Sequence, residues 1–219
     1  MRTTNRFDLP EAFIRFDQRN AHSRGDADIS ATELIDSPRI RKLRLRYEDK
    51  IEEDISRRVM SILGTAVHNI LEQGAPEECI VEERLFMNAY GMRISGQLDL
   101  QTPMDDGFLI SDYKTTSAYA IQANPEGKTE WIQQLNIYNA LAEANGRNVS
   151  GLEVVAVIRD WTATGLKRSR DYPEVPIVRI PIDVWKPDIR DQYIKAMVGA
   201  HMERGLRECD GFERWERPA

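Results

Sequence analysis

Three short segments of strand character, residues 79–87, 92–100 and 108–115, follow one another with only turn-forming residues between them. Segments this close leave no room for a crossover helix, so they must fold as an antiparallel meander. The first break is Asn88-Ala89-Tyr90-Gly91, and the second runs from Thr102 to Gly107 through Pro103, Met104, Asp105 and Asp106. A second turn centred on Asp105 and Asp106 sets Asp99 opposite Asp112, and the two-residue period of a strand puts Lys114 on the same face as Asp112. Directly opposed residues have Cβ atoms about 5 Å apart. Two carboxylates held so need a shared proton, a cation or an outlet to solvent. Of these, a divalent cation also does chemical work, and hard carboxylate oxygens suit magnesium and manganese.

Around the meander the periodicity changes. Val59, Leu63, Ala66, Val67, Ile70 and Leu71 recur at three- and four-residue intervals, which predicts an amphipathic helix over 57–73 ended by Gly74. His68 lies one turn after Gly64, whose missing side chain is expected to let that face approach a neighbouring strand. His68 is then either a satisfied interface histidine or a ligand of the same cation; Glu72, one turn on, is either a second ligand or a surface charge. Trp131, Leu135, Tyr138 and Leu141 share one face of a helix predicted over 130–145 and stopped by Gly146. Gln134 and Tyr138, one turn apart, face one neighbour and suit a phosphate or the Lys114 side chain. Strands are expected over 152–159 and 177–182, then a last helix carrying Trp185, Ile189, Tyr193 and Met197. The order helix, three strands, helix, strand, strand, helix implies an α/β fold.

Upstream, Ser37-Pro38 has the chemistry of a helix start, and a helix over 38–54 is expected. Its first half carries Arg39, Arg41, Lys42, Arg44 and Arg46, its second half Glu48, Asp49, Glu52, Glu53 and Asp54. That segregation fits either a solvated face or a phosphate-binding patch. The polar first 30 residues are expected to form a loosely packed arm, and two polar stretches, 117–129 and 160–176, are long enough to embrace a nucleic-acid strand.

Composition narrows the class. The chain has 219 residues, 41% of them hydrophobic, enough for one sizeable core. The expected organisation is a single domain over 1–219, with an N-terminal arm and helix (1–56), a core (57–206) and a tail (207–219). A formal charge of −6 excludes holding a polyanion by bulk charge, so any nucleic-acid contact must be local. Candidates are the Arg39–Arg46 cluster, Arg57 with Arg58, and Lys167, Arg168 and Arg170. Two cysteines, Cys79 and Cys209, are too few for a disulfide scaffold or a cysteine-held iron–sulfur cluster. They read as thiols of a reducing compartment, and with no apolar run of membrane length the expectation is a soluble, cytoplasmic protein.

Taken in order, Gly64-x-x-x-His68, Gly96-x-x-Asp99, Asp112-x-Lys114 and Gln134-x-x-x-Tyr138 resemble the motif series of the PD-(D/E)XK nuclease superfamily in its RecB-type branch. The strings ISGQLDL, ISDYKTTS and QQLNIY look like that branch as well. The resemblance implies a restriction-endonuclease-like core, a central mixed sheet flanked by helices, behind an N-terminal helical segment. It implies a metal, Mg2+ or Mn2+, held by His68, Asp99, Asp112 and the backbone carbonyl of Tyr113, with Lys114 as catalytic lysine and Gln134 and Tyr138 lining the site. Many relatives carry an iron–sulfur cysteine where this chain has Ser37, so no cluster is expected. VIRDWTATG, RDYPEVP and ECDGFERW are similar to stand-alone bacteriophage and prophage nucleases. The activity implied is exonucleolytic digestion of linear double-stranded DNA in phage-type recombination or replication, in the bacterial host cytoplasm if the gene is a phage's. The implied partners are DNA and a single-strand annealing protein, with assembly into a homo-oligomer left open and no membrane. A structure-specific or single-strand endonuclease is the alternative within the superfamily, and a catalytically weak DNA-binding module the alternative outside enzymes.

Overall fold

A computed structural model describes residues 2–19, 23–203 and 205, the Arg168 side chain excepted. The expected tail over 207–219, with Cys209 and the string ECDGFERW, lies outside the described residues. In chain order the elements are β1 (Arg2–Thr4), α1 (Glu11–Arg19), β2 (Ile29–Ser30), α2 (Ala31–Ile35), α3 (Pro38–Arg46), β3 (Glu52–Asp54) and a 3-10 turn (Ile55–Arg58). Then come α4 (Val59–Gln73), β4 (Ile80–Ala89), β5 (Met92–Met104), β6 (Gly107–Thr116), α5 (Ala118–Ala123), α6 (Thr129–Ala144), β7 (Val149–Ile158), α7 (Ala163–Arg168), β8 (Ile177–Ile182) and α8 (Pro187–Met202).

The meander forms as its turns dictate. Tyr90 and Gly91 both take positive φ (51° and 86°), the backbone of a tight two-residue hairpin between Ala89 and Met92. Asp105 and Asp106 form the second turn, and β5 pairs with β6 from Met104 with Gly107 back to Leu100 with Ser111, the expected register. From β6 the chain crosses through α5 and α6 to β7, which lies parallel to β6, and β8 returns antiparallel to β7. β4 and β2 both pair with β5, completing a six-stranded mixed sheet. Helix α6 packs along β4 to β7, with α2 and α8 against it, while α4 lies against β5 and β6. Ile94, Leu98, Ile110, Leu135, Ile137, Leu141 and Val154 form the centre of the core, each at most 1% exposed. No helix among the described residues is long and apolar enough to cross a membrane.

Two expectations fail at the N-terminus. The described part of the first 30 residues is tied down at both ends rather than forming a loose arm: Ile29 is fully buried, β2 joins the sheet beside Ile94 and Ser95, and β1 pairs with β3. The helix begun at Pro38, capped by Ser37, ends at Arg46 rather than running to Asp54. Its acidic continuation serves β3 instead, where Glu52 pairs with Arg2 and Arg6, and Asp54 accepts from Thr4 Oγ1 (3.0 Å) and the Arg6 amide (2.8 Å). Periodicity within 38–54 carries no signal of a partner strand nearly fifty residues away. The two polar stretches also hold short helices, α5 capped by Ser117 and α7 capped by Thr162.

Candidate active site

Strand alternation in β6 sets Asp112 beside Lys114, and the Lys114 Nζ lies 2.6 Å from Asp112 Oδ2. The same ammonium donates to Gln134 Oε1 at 3.0 Å. Gln134 Nε2 closes the ring, donating to Asp112 Oδ1 at 3.3 Å and to the Tyr138 hydroxyl at 2.6 Å. The one-turn spacing of Gln134 and Tyr138 on α6 is what brings both to one place. How near α6 comes depends on Gly96, because a Cβ there would sit 2.6 Å from Leu141 Cδ1 and 2.8 Å from Tyr138 Cε1. The other motif glycine behaves differently. A Cβ at Gly64 would meet nothing within 4 Å, so α4 does not need it for a close approach, contrary to expectation.

The β5–β6 ladder stops one pair short of Asp99 and Asp112. Asp99 uses the freed backbone: its Oδ2 accepts the Tyr113 amide at 2.7 Å, and its Oδ1 lies 3.4 Å from His68 Nδ1. His68 reaches over from α4, its Nε2 2.8 Å from the Tyr113 carbonyl oxygen and its ring edge-on to that of Tyr113. Together these groups line a cleft of about 580 Å³ walled by α4, β4, β5, β6 and α6. All seven residues expected at the centre, His68, Asp99, Asp112, Tyr113, Lys114, Gln134 and Tyr138, therefore meet.

One residue was missed. Glu82 on β4 lies opposite Asp99, with Oε1 3.8 Å from His68 Nδ1. The hairpin at Tyr90-Gly91 would have placed it there, since its register runs on from Ala89 with Met92 to Val81 with Leu100. Glu72, the candidate second ligand one turn beyond His68, is exposed.

Charge in the cleft is set by burial and close neighbours. Burial pushes the Asp112 carboxyl up, the Lys114 ammonium pulls it back, and Asp99 raises it again. Burial opposes a charged His68, but Asp99 and Glu82 outweigh it and lift the imidazole to about 10. Tyr138 is raised well above its ordinary value, first by burial and then by Asp112 and Asp99, so it stays a neutral hydroxyl. A positive charge is thus favoured between the carboxylates. The donor set fits a divalent cation: ligand atoms of His68, Glu82 and Asp99 lie within 4.8 Å of one another. Asp112 Oδ2 is buried and, among the described residues, has the Lys114 ammonium as its partner. Oxygen with one imidazole nitrogen is a hard-ion environment.

The basic residues divide. Arg41 donates to the Asp28 carbonyl at 2.8 Å, Lys42 caps the end of α8 through the Ala200 and Glu203 carbonyls, and Arg44 pairs with Asp36. Arg39 is engaged within the chain as well, and Arg58 pairs with Asp17. Exposed and without a partner among the described residues are Arg46, Arg57, Lys167 and Arg170. The α3 cluster is thus largely structural. Arg168 has no described side chain.

A family model for the PD-(D/E)XK nuclease superfamily matches residues 75–211, more than half of the chain. No curated protein matches. Among solved structures, the crystal structure of SSO0001 is similar with a TM-score of 0.58 and 17% identity, over 86% of this chain and 84% of that one. The structure of LHK-Exo in complex with dAMP gives a TM-score of 0.41 and 13% identity, over 78% of this chain and 86% of that one.

Proposed function

The chain belongs to the PD-(D/E)XK nuclease superfamily, and from that premise we propose that it is a divalent-cation-dependent deoxyribonuclease that digests linear double-stranded DNA from its ends. The observation that carries this reading is the convergence of the Asp112–Lys114–Gln134 ring with His68, Asp99 and the Tyr113 carbonyl in one cleft. A divalent cation, Mg2+ or Mn2+, held by His68, Asp99, Asp112 and the Tyr113 carbonyl would neutralise phosphate charge and lower the pKa of a ligated water.

The remaining work falls to side chains. Lys114 is the catalytic lysine in this reading: braced by Asp112 and Gln134, its ammonium is fixed at the point where a phosphate oxygen gains charge, and it needs no reorganisation there. Gln134, anchored by the neutral Tyr138 hydroxyl, holds Lys114 in place. Arg46, Arg57, Lys167 and Arg170 contact phosphates without reading bases. The products are 5′-phosphate and 3′-hydroxyl ends, as in the superfamily. End-dependence, the RecB-type branch and a role in phage recombination or replication, beside a single-strand annealing protein, are supported by the resemblance of the quoted strings alone. The whole chain acts as one nuclease domain in this reading.

The test is digestion of end-labelled linear duplex beside covalently closed circular DNA, with Mg2+, Mn2+ or chelator, and Lys114→Ala as control. Metal-dependent loss of the linear molecule alone is expected, and the label gives polarity. Cutting of the circle moves the assignment to an endonuclease; cutting of neither moves it to a binding module.

A further inference from the structure

Glu82 stands outside the four motifs, yet the fold brings it into the same cleft. Val81 pairs with Leu100 and Glu83 with Leu98, so Glu82 falls opposite Asp99 on the adjoining strand. At Glu82 the backbone turns to φ 49°, a left-handed conformation that side-chain-bearing residues adopt rarely, and the regular pairing is interrupted there. The kink has a consequence for the carboxylate. One oxygen, Oε2, accepts from Gln97 Nε2 at 2.5 Å, and the Gln97 oxygen accepts in turn from Arg84. The other, Oε1, is left facing His68 Nδ1, the same ring atom that Asp99 Oδ1 approaches. Two carboxylates from neighbouring strands and one imidazole from α4 thus converge, and Asp99 also holds the Tyr113 amide, between Asp112 and Lys114 in the chain.

We propose that Glu82 is a ligand of the divalent cation in this cleft, with Gln97 and Arg84 fixing which of its oxygens faces the ion. The proposal rests on the metal-dependent reading above and adds to it a residue that the motif series does not contain. A purely structural Glu82, there only to satisfy Gln97, makes the opposite prediction for metal binding, because Glu82→Gln keeps an acceptor for Gln97 and removes only the charge.

Mn2+ alone is the probe, titrated calorimetrically into the full chain without DNA. Wild type is expected to bind, and Glu82→Gln to bind about tenfold or more weakly, with its melting temperature in chelator unchanged. Equal affinity in the two proteins overturns the assignment of Glu82 and leaves the nuclease reading intact. Absence of Mn2+ binding by wild type, with Asp99→Asn indistinguishable from it, overturns both. A second measurement needs no variant: Fe2+ with ascorbate and peroxide, added to wild type, cuts the backbone beside bound iron. Cleavage near residue 82 as well as near 99 and 112 is expected; cleavage at the latter two alone overturns the proposal.

Discussion

Lys114 sits between a carboxylate and an amide oxygen, and this asymmetry explains what it can do. Asp112 supplies the opposite charge and Gln134 a neutral second contact, so the ammonium is oriented without being fully neutralised. Lys114→Ala should lower the cleavage rate at least ~10²-fold, as loss of one preorganised electrostatic stabiliser does elsewhere, while Mn2+ binding persists; single-turnover rates beside a metal titration check both. Gly96 is the opposite kind of residue, important for what it lacks. In Gly96→Ala the new methyl must displace Leu141 and Tyr138 on α6. Overpacking of this kind costs about 1–3 kcal/mol, which a urea denaturation series reads. Because Tyr138 anchors Gln134, the same variant should lose activity beyond its loss of stability.

Among the elements, the β1–β3 pair is the least expected and the most local in its chemistry. Asp54 holds the Arg6 amide, the Ser56 amide (3.1 Å) and the Thr4 hydroxyl, and these bonds, the Arg6 amide foremost, depress its pKa well below the ordinary 3.8. A carboxyl with a depressed folded pKa contributes its stabilisation above the unfolded value and loses it as pH falls through the folded one. Amide exchange at Arg6 and Ser56 should therefore stay slow from neutral pH down to about 4 and quicken only in stronger acid. Asp54→Asn should show quickened exchange at neutral pH already. α3 gives a second lesson at this scale. Its basic residues look like a nucleic-acid patch, but Lys42 closes the C-terminal end of α8, where orphan carbonyls and the helix dipole favour a cation.

At the scale of the whole molecule, a chain of net charge −6 must bind its polyanion through a few local cations. Reversing Arg46, Arg57, Lys167 and Arg170 together to glutamate should weaken DNA binding and flatten its salt dependence by about one unit of slope for each phosphate that is no longer neutralised. Mn2+ affinity should not change. Unaltered DNA affinity in that variant would assign all four side chains to solvent.

The sequence by itself determined whatever depends on near neighbours. A strand's period of two fixed Asp112 beside Lys114, a helix's period fixed Gln134 above Tyr138, and a two-residue turn set the β5–β6 register, each over a handful of residues. Their ordered series was enough to reach the superfamily and the central seven residues of the cleft. Only the tertiary structure decided the rest. β1 finds β3 across some fifty residues, and Lys42 finds Ala200 from the far end of the chain; at Glu82, whose position opposite Asp99 the local hairpin already sets, the left-handed kink is what no alternation of polar and apolar residues encodes. Gly64 and Gly96 make the point together: identical in the sequence, they differ because only Gly96 has another element packed against it. Contacts between residues far apart in the chain depend on how separately folded elements close on one another, and local patterning carries no record of that closure.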